Sequence, residues 1–312
     1  MKYEYRKYDE YNPVSVNLGD YIQSIAAKLF YDRCDILVDR DSLSKVTDKV
    51  KLIGNGWYYI SKARHWIGES IDFLPISVHI NNRSNEVIET IKTFVGNGRK
   101  IGCRDYGTLE YLKNNGIDCY FSSCLTTTIT KEKIGLTGGG RSGIVYSDFD
   151  VRNAAFLCQP KFKLFPITKM YKRYNDIMAF NRSCGGKLAN ILSWYYKEPV
   201  QFVTHDCSLS LSHKERFCAA MNLLKKYATA QLVVTSRIHC ALPCLGLGTP
   251  VILVTNNFDE KRYKGLDRLF NHVYVDDEEI AVECSGNKVV NNDKFKEYAA
   301  MATDICYNFV SK

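Results

Sequence analysis

The chain has 312 residues, enough for about two average domains. Its composition, with 46% hydrophobic residues, 24% charged residues and 7 prolines, is that of a globular protein and excludes a disordered, collagen-like or disulfide-scaffold chain. The net charge of +8 favours anionic ligands, but no block of five or six like charges and no basic stripe interleaved with aromatics is present, so nucleic-acid binding is not expected.

The sequence contains no segment that predicts a transmembrane helix. The longest nearly apolar run, residues 241–254, is shorter than the roughly 20 residues that cross a bilayer and contains two prolines. The first residues are charged and aromatic, unlike a secretory signal, so we expect a cytoplasmic protein; its basic surface leaves peripheral contact with an anionic membrane open. The 12 cysteines are scattered without a Cys-x-x-Cys pair, which favours buried reduced thiols over disulfides.

Short β-type runs alternate with helical patterns along the first half of the chain. A first helix is expected to open around Asn17 and Asp20. Strands are predicted at residues 36–38, 50–53, 76–80, 100–103 and 119–121, and further helices at 85–95 and 108–113. This alternation is typical of parallel sheets covered by helices.

A polar, glycine-dense segment at residues 137–143 has the composition of a domain linker. Beyond it the alternation resumes. Strands are predicted at 144–147, 201–204, 232–235, 251–254 and 272–275, and helices at 188–196, 214–227, 238–247 and 294–310.

Two comparable halves predict an α/β fold of two facing Rossmann-like domains, with a ligand-binding cleft between the carboxyl ends of both sheets. We expect domains at residues 1–140 and 141–290. Residues 291–312 are expected to form a C-terminal helix that packs back across the domain junction.

Some motifs are better explained by local structure than by chemistry. Gly138, Gly140 and Gly143 match the dinucleotide fingerprint, but they precede a predicted strand rather than follow one, so we reject that interpretation. Asp148-Phe149-Asp150 and Asp39-Arg40-Asp41 resemble the Asp-x-Asp pair of some glycosyltransferases. Both follow predicted strands, where an acidic residue commonly caps the next helix, and capping is favoured.

The most informative segment, residues 233–240, is an apolar strand that ends in Thr235, Ser236, Arg237 and then His239 at the start of a helix. The free N–H groups at a helix start, the helix dipole and a guanidinium together form an anion site. The alternative is a capping serine, a salt-bridged arginine and a core histidine.

Two further clusters lie at expected element junctions. Arg104 and Asp105 end a predicted strand, with Thr108 one turn later, which is also the pattern of a capped helix with an internal ion pair. Asn17 and Gly19 open the first helix, where glycine lets backbone approach a ligand and Asn17 and Asp20 could orient hydroxyls; a plain N-cap explains them equally well.

Read together, these motifs resemble the polysaccharide pyruvyl transferase family. The matching segments include Asn17-x-Gly19-Asp20, Gly54-Asn55-Gly56, Gly102-x-Arg104-Asp105, Ser123-Cys124-Leu125-Thr126, residues 235–243, residues 248–251 and Phe258-Asp259-Glu260-Lys261. The sequence departs from the family pattern at Asn55 and Ser123, where the family often has glycine. Residues of roughly 150–200 carry no match.

The resemblance implies a fold like that of the GT-B glycosyltransferases and transfer of a pyruvyl group from phosphoenolpyruvate to two hydroxyls of one sugar, giving a cyclic ketal and phosphate. It implies no cofactor, phosphoenolpyruvate as donor, and a sugar of a polysaccharide or its lipid-linked precursor as acceptor. The donor is a dense anion, which several cations and a helix start would hold. The first half would be the acceptor side and the second half the donor side.

On this interpretation the candidate catalytic residues are His239, Arg104 and Lys261, with His239 as general acid or base. The remaining candidates fall into a donor-binding group and an acceptor or loop group. The donor-binding residues are Ser236, Arg237, Ile238 and Cys240, and the acceptor or loop residues are Asn17, Gly19, Asp20, Asn55, Gly56 and Trp57.

Trp57, with Tyr58 and Tyr59 beside it, could stack on a sugar ring or belong to the core. No His, Cys or Asp spacing suggests a metal site. Two alternatives remain: a nucleotide-sugar-dependent glycosyltransferase whose Arg237 and Lys261 grip a diphosphate, and a non-catalytic carbohydrate-binding or scaffold relative.

Overall fold

The computed structural model describes residues 15–34, 36–60, 66–96, 98–148, 186–255, 263–274 and 279–312. It is a mixed α/β structure with parallel sheets and several helices. The elements of the first half, in chain order, are β1 (Val16–Asn17), α1 (Leu18–Lys28), β2 (Val50–Tyr58), β3 (Ile71–Ile80), α2 (Asn85–Val95), β4 (Ile101–Cys103), α3 (Tyr106–Lys113) and β5 (Cys119–Phe121).

The second half begins with β6 (Ile144–Ser147) and ends with a long C-terminal helix. Between residues 186 and 255 lie α4 (Gly186–Ser193), β7 (Val200–Val203), β8 (Asp206–Cys207), α5 (His213–Thr229), β9 (Leu232–Thr235), α6 (Ile238–Gly246) and β10 (Val251–Thr255). They are followed by β11 (Asn271–Tyr274), β12 (Glu279–Ala281), β13 (Cys284–Ser285), β14 (Lys288–Val289) and α7 (Phe295–Val310).

The first sheet has the strand order β2-β3-β4-β5, with all strands parallel. The register between β2 and β3 shifts between Gly54 and Gly56, where a bulge interrupts the ladder. Gly54 is required there because a Cβ would lie 2.0 Å from the ring of Phe73. Asn55, which is fully buried, lies opposite two residues of β3, Ile76 and Ser77, so the extra residue of the bulge is on β3.

The second sheet has the order β12-β11-β10-β9-β6-β7 and is parallel except for the edge strand β12. The strand of this sheet that comes first in the chain, β6, lies between β7 on one side and β9 on the other. The chain adds β7 on one side of β6 and the later strands on the other side, so the strand order changes direction between β6 and β9. In open α/β sheets, ligands bind at such a point, beside the carboxyl ends of the strands.

Local signals explain where the helices begin. Ser84 caps α2 by accepting the N–H of Val87, and Asp105 caps α3 by accepting the N–H of Thr108. Ser212 begins α5 with a complete capping box, in which Glu215 is the reciprocal partner.

The two halves share one hydrophobic core. Helix α1 packs on α5, where the rings of Tyr21 and Phe217 are 5.1 Å apart in an edge-to-face arrangement. β1 pairs with β8, so Val16 lies opposite Cys207. The largest cluster of buried apolar residues joins α1, α5, α6, α7 and the 3₁₀ helix Leu125–Thr128 with one face of the second sheet. Separate clusters fill the first sheet and the other face of the second.

One predicted strand is wrong. Residues 36–38 form no strand, and Ile36 and Leu37 are 43% and 41% exposed. Val38 packs into the buried cluster of the first sheet, but the segment forms only an isolated bridge at Asp39 and no ladder. The other predicted elements are present, with bounds shifted by a few residues; position 275 of the strand predicted at 272–275 lies outside the described residues.

Capping at Asp39 is confirmed, since its side chain accepts the N–H of Asp41 at the start of the 3₁₀ helix Arg40–Lys45.

The ten cysteines in the described ranges are all free thiols, and six of them are buried. None of the helices formed by the described residues is long and apolar enough to span a membrane.

Candidate functional site

The start of α6 follows directly from the central strand β9. Arg237 occupies the N-cap position with extended backbone, and no side chain caps the helix. The N–H groups of Cys240 and Ala241 both donate to the carbonyl of Arg237 over 3.0 Å, so the hydrogen bonding of the helix begins at Arg237. This helix start lies where β6 and β9 end side by side.

The guanidinium of Arg237 is held between two carboxylates. Its Nε lies 3.3 Å from Asp148 and its Nη2 lies 3.5 Å from Asp206. Asp148 comes directly after β6, with a left-handed φ of 47°, and accepts the N–H of His205 over 2.6 Å. Ser236 donates its hydroxyl to the carbonyl of Asp148 rather than capping α6. The loops after β6 and β9 are therefore fastened together, and the 38% exposed Arg237 side chain still reaches solvent.

The first turn of α1 lies against His239. A Cβ at Gly19 would be 3.2 Å from the Cβ of His239 and 3.3 Å from its Nδ1, so glycine permits this approach. Asn17 accepts the N–H of Gly19 over 2.9 Å and is the N-cap of α1. The N-cap interpretation of this segment is thus confirmed, and Gly19 also places backbone of the first half against the imidazole of the second half. Asp20 accepts a hydrogen bond from Gln23 one turn later.

Arg104 is 2% exposed and follows β4. Its Nε lies 3.7 Å from Asp105, whose two oxygens are used by the N–H of Thr108 at 2.8 Å and by His79 Nδ1 at 2.7 Å. Burial raises the pKa of the Cys124 thiol, and the charge of Arg104 opposes that rise. Cys124 precedes the 3₁₀ helix Leu125–Thr128, which packs on α1 and α6.

Two buried serines beside these residues have strained backbone. Ser77 and Ser123 have φ values of 57° and 58° and are 1% and 0% exposed. In the described part of the chain neither hydroxyl has a hydrogen-bond partner. Ser122 connects them, because its Oγ accepts the N–H of Ser77 over 3.0 Å and donates to the carbonyl of Ser123 over 3.2 Å. Strain and unpaired buried hydroxyls gathered at one place are typical of functional sites.

The other first-half candidates have different surroundings. Asn55 is fully buried and donates its amide to the carbonyl of Gln23 in α1 over 3.0 Å. Gly56 has a φ of 131°, which follows from the bulge. Trp57 is half-buried, whereas Tyr58 is core, with its ring 5.5 Å from that of Trp66.

Lys261, with Phe258, Asp259 and Glu260, lies outside the described residues. The segment that contains it starts at the end of β10, where Leu253 pairs with Thr235 of β9. After it, the carbonyl of Lys264 accepts the N–H of Tyr106, two residues from Arg104, over 2.8 Å. Both ends of this segment are therefore anchored beside candidate residues.

Under α6 lies a buried polar chain. His205 Nε2 is 2.8 Å from the hydroxyl of Tyr227, which is 3.1 Å from Ser147 Oγ at the end of β6. Cys240 lies in the first turn of α6, but its side chain is fully buried in the shared core. Only its backbone therefore faces the helix start. Within the described ranges, no group of three or more His, Cys, Asp or Glu side chains is placed to hold a metal ion.

The family model for polysaccharide pyruvyl transferases matches residues 17–257, from the N-cap of α1 to just past β10. This chain belongs to the polysaccharide pyruvyl transferase family. The search of curated proteins found no match. The matched range contains the candidate residues of the family motifs except Lys261, which lies beyond its end. The family's glycine preference at position 123 agrees with the left-handed backbone that Ser123 adopts here.

Sequence reasoning missed His79, which fixes Asp105, and Asp206, which pairs with Arg237. A histidine within the apolar strand of residues 76–80 was the available signal for His79. Asp148 was interpreted as a helix cap, and its pairing with Arg237 is a tertiary contact that no local pattern carries.

Proposed function

We propose that this chain transfers a pyruvyl group from phosphoenolpyruvate to two hydroxyls of one sugar, in a polysaccharide or its precursor, forming a ketal and releasing phosphate in the cytoplasm. The contact that carries the proposal is that of Gly19 in the first half with His239 in the second half. It supports one pocket, in a cleft between two Rossmann-like halves of GT-B type, to which both halves contribute.

The donor carries a phosphate and a carboxylate. The start of α6, with the positive end of its helix dipole, and the half-exposed Arg237 suit a phosphate. Arg237 also has a structural role, because Asp148 and Asp206 hold it and neutralise part of its charge. We therefore assign the carboxylate and the developing charge to Arg104 and Lys261.

The reaction begins when a proton adds to the methylene carbon of the donor, which becomes a methyl group and leaves C2 with oxocarbenium character. One sugar hydroxyl attacks C2, forming a C–O bond and releasing its proton. The bond from C2 to the phosphate oxygen then breaks, and the second hydroxyl attacks C2 and closes the ring. One hydroxyl proton replaces the proton used in the first step, and the other leaves with phosphate.

His239 is the group that we assign to proton transfer. An imidazole exchanges protons near neutral pH, which is worth about a hundredfold or more in rate. It is 8% exposed and lies in the first turn of α6, beside the proposed phosphate site. Asn17, Gly19, Asp20 and the Asn55-Gly56-Trp57 strand segment are assigned to the acceptor side.

The proposal is tested by incubating the full chain with phosphoenolpyruvate and a panel of glycans and measuring phosphate release. Phosphoenolpyruvate alone should also raise the melting temperature, by the stabilisation that a ligand gives the folded state. If a uridine or guanosine diphosphate sugar raises it and phosphoenolpyruvate does not, the chain is a nucleotide-sugar glycosyltransferase. If neither does and no phosphate is released, the chain is a non-catalytic relative.

A further inference from the structure

A cavity of about 370 Å³ lies at the end of α1 remote from Asn17. It is formed by the last turns of α1 at Ser24 and Lys28, the loop that follows, the start of β2, Phe217 of α5 and Val310 of α7. Ser24 and Lys28 follow Gly19 by five and nine residues, about 8 and 14 Å along the helix axis, so the cavity lies beyond the contact of Gly19 with His239. Its volume is in the range of small-molecule sites, about 300–1,000 Å³.

Among the described residues that line this cavity, cations predominate. Lys28, Arg33, Lys49 and Lys51 are basic, and Asp48 is acidic. In the part of the chain that the structure describes, neither Lys28 nor Lys49 has a carboxylate within 4.0 Å. Two exposed ammonium groups without an acidic partner favour an anion at the rim.

The walls of the cavity are apolar. Leu52 is buried in them, and Phe217 and Val310 close the side formed by the second half. Ile36 and Leu37 also line the cavity, although 43% and 41% of their surfaces face solvent. These are the residues whose predicted strand does not form, so the apolar pattern that suggested a strand marks an exposed edge of the cavity instead.

An apolar chamber with a cationic rim is complementary to a ligand with an apolar chain and a phosphate. Inorganic phosphate would leave the walls of the chamber unused, and an uncharged chain would leave the cations unpaired. Exposed apolar side chains beside lysines are also the combination by which proteins contact anionic membranes.

We propose that this cavity binds the phosphate end of a membrane lipid, with the phosphate on Lys28 and Lys49 and the first part of the chain against Ile36, Leu37 and Phe217. A lipid-linked sugar has such an end, so the cavity would select a lipid-linked acceptor for the reaction proposed above. That last step rests on the proposed function, whereas lipid binding itself does not.

The first experiment compares three soluble probes on the full chain by calorimetry and thermal melting. Decyl phosphate has both the chain and the phosphate, decanol has the chain alone, and inorganic phosphate has the head alone. We expect binding and a higher melting temperature with decyl phosphate only. Equal effects of inorganic phosphate or of decanol would overturn the proposal, because one half of the cavity would then suffice.

The second experiment tests the residues with matched variants. Lys28→Ala with Lys49→Ala should weaken decyl phosphate binding about tenfold, the effect of losing two exposed ion pairs. The control, Lys187→Ala with Lys288→Ala, removes the same charge from exposed positions in α4 and β14. Similar weakening by both pairs would indicate general charge attraction and overturn the site.

The third experiment uses phosphatidylcholine vesicles with and without phosphatidic acid in a sedimentation assay. We expect the chain to sediment with the vesicles that contain phosphatidic acid, and Ile36→Asp with Leu37→Asp to abolish this. Binding of decyl phosphate without vesicle binding would overturn the assignment to a membrane lipid. None of these measurements uses phosphoenolpyruvate, so a failure of lipid binding and a failure of pyruvyl transfer are distinguishable.

Discussion

His239 packs closely against the start of α1 at Gly19, which has no side chain. A Cβ there would lie 3.2 Å from the Cβ of the histidine, closer than side chains normally pack. The contact explains how residues far apart in the chain enter one site.

His239→Gln should reduce phosphate release with phosphoenolpyruvate and a sugar acceptor about a hundredfold or more, because glutamine cannot exchange protons at neutral pH. Its melting temperature should stay close to that of the parent chain. The control is His213→Gln, which removes a histidine that contacts the Tyr21 hydroxyl at 2.8 Å in the α1–α5 packing. Near-normal turnover of His239→Gln would contradict its role in proton transfer.

Ser123→Gly should stabilise the chain by about 1 kcal/mol, because glycine adopts a φ of 58° without strain and no unpaired hydroxyl stays buried. Chemical denaturation measures the change. Its matched control is Ser122→Ala, which leaves the buried N–H of Ser77 without its acceptor and should destabilise by about 1–3 kcal/mol. Unchanged or lower stability of Ser123→Gly would show that the serine is well accommodated.

At the scale of elements, the segment 263–266 joins the second half to the start of α3. Gly265 has a φ of 91°, and a Cβ there would lie 2.6 Å from the ring of Tyr106. The carbonyl of Lys264 accepts the Tyr106 N–H in the same contact. This packing anchors the end of the segment that contains Lys261 next to Arg104.

Gly265→Ala should therefore destabilise the chain by roughly 1–3 kcal/mol and lower turnover together, because the segment must move away from Tyr106. Melting temperature and phosphate release measure both effects. Gly140→Ala is the control, since no atom of the described residues lies within 4 Å of its added Cβ and its φ is not left-handed. If both variants behaved alike, close packing at Gly265 would not matter.

The elements most faithfully predicted from the sequence carry their own boundary signals. Helices α2, α3 and α5 begin at capping residues, and the strand 144–147 has the predicted bounds. β2 was predicted to end at Ile53, because glycine suggests the end of a strand, but it continues through the bulge at Asn55 to Tyr58. β8 has two residues, too few for any periodic pattern.

In the candidate site, too, the residues that carry a local sequence signal were predictable and their tertiary partners were not. Arg237 and His239 stand out because polar residues end an apolar strand. The pairing of Arg237 with Asp148 and Asp206, and of His79 with Asp105, depends on the strand order, which the sequence does not contain. Local chemistry is therefore readable in advance, whereas the partners that orient it come from the tertiary fold.

At the scale of the whole molecule, the proposed chemistry uses side-chain cations and a helix start in place of a metal. Phosphate release should therefore persist after treatment with a chelator. The measurement compares initial rates before and after the treatment, with added magnesium as the control. Strict dependence on a divalent ion would contradict the assignment of charge stabilisation to Arg104 and Lys261.

The shared core also determines what happens if the chain is cut. Helix α1 and β1 belong to the first half of the sequence but pack on α5 and pair with β8. A break at the exposed glycines 138–140 should leave fragments that fold poorly when produced alone and copurify as one active complex when coexpressed. The first half consequently cannot be exchanged by itself between relatives. A chimera must also include the surface of α5 on which α1 packs.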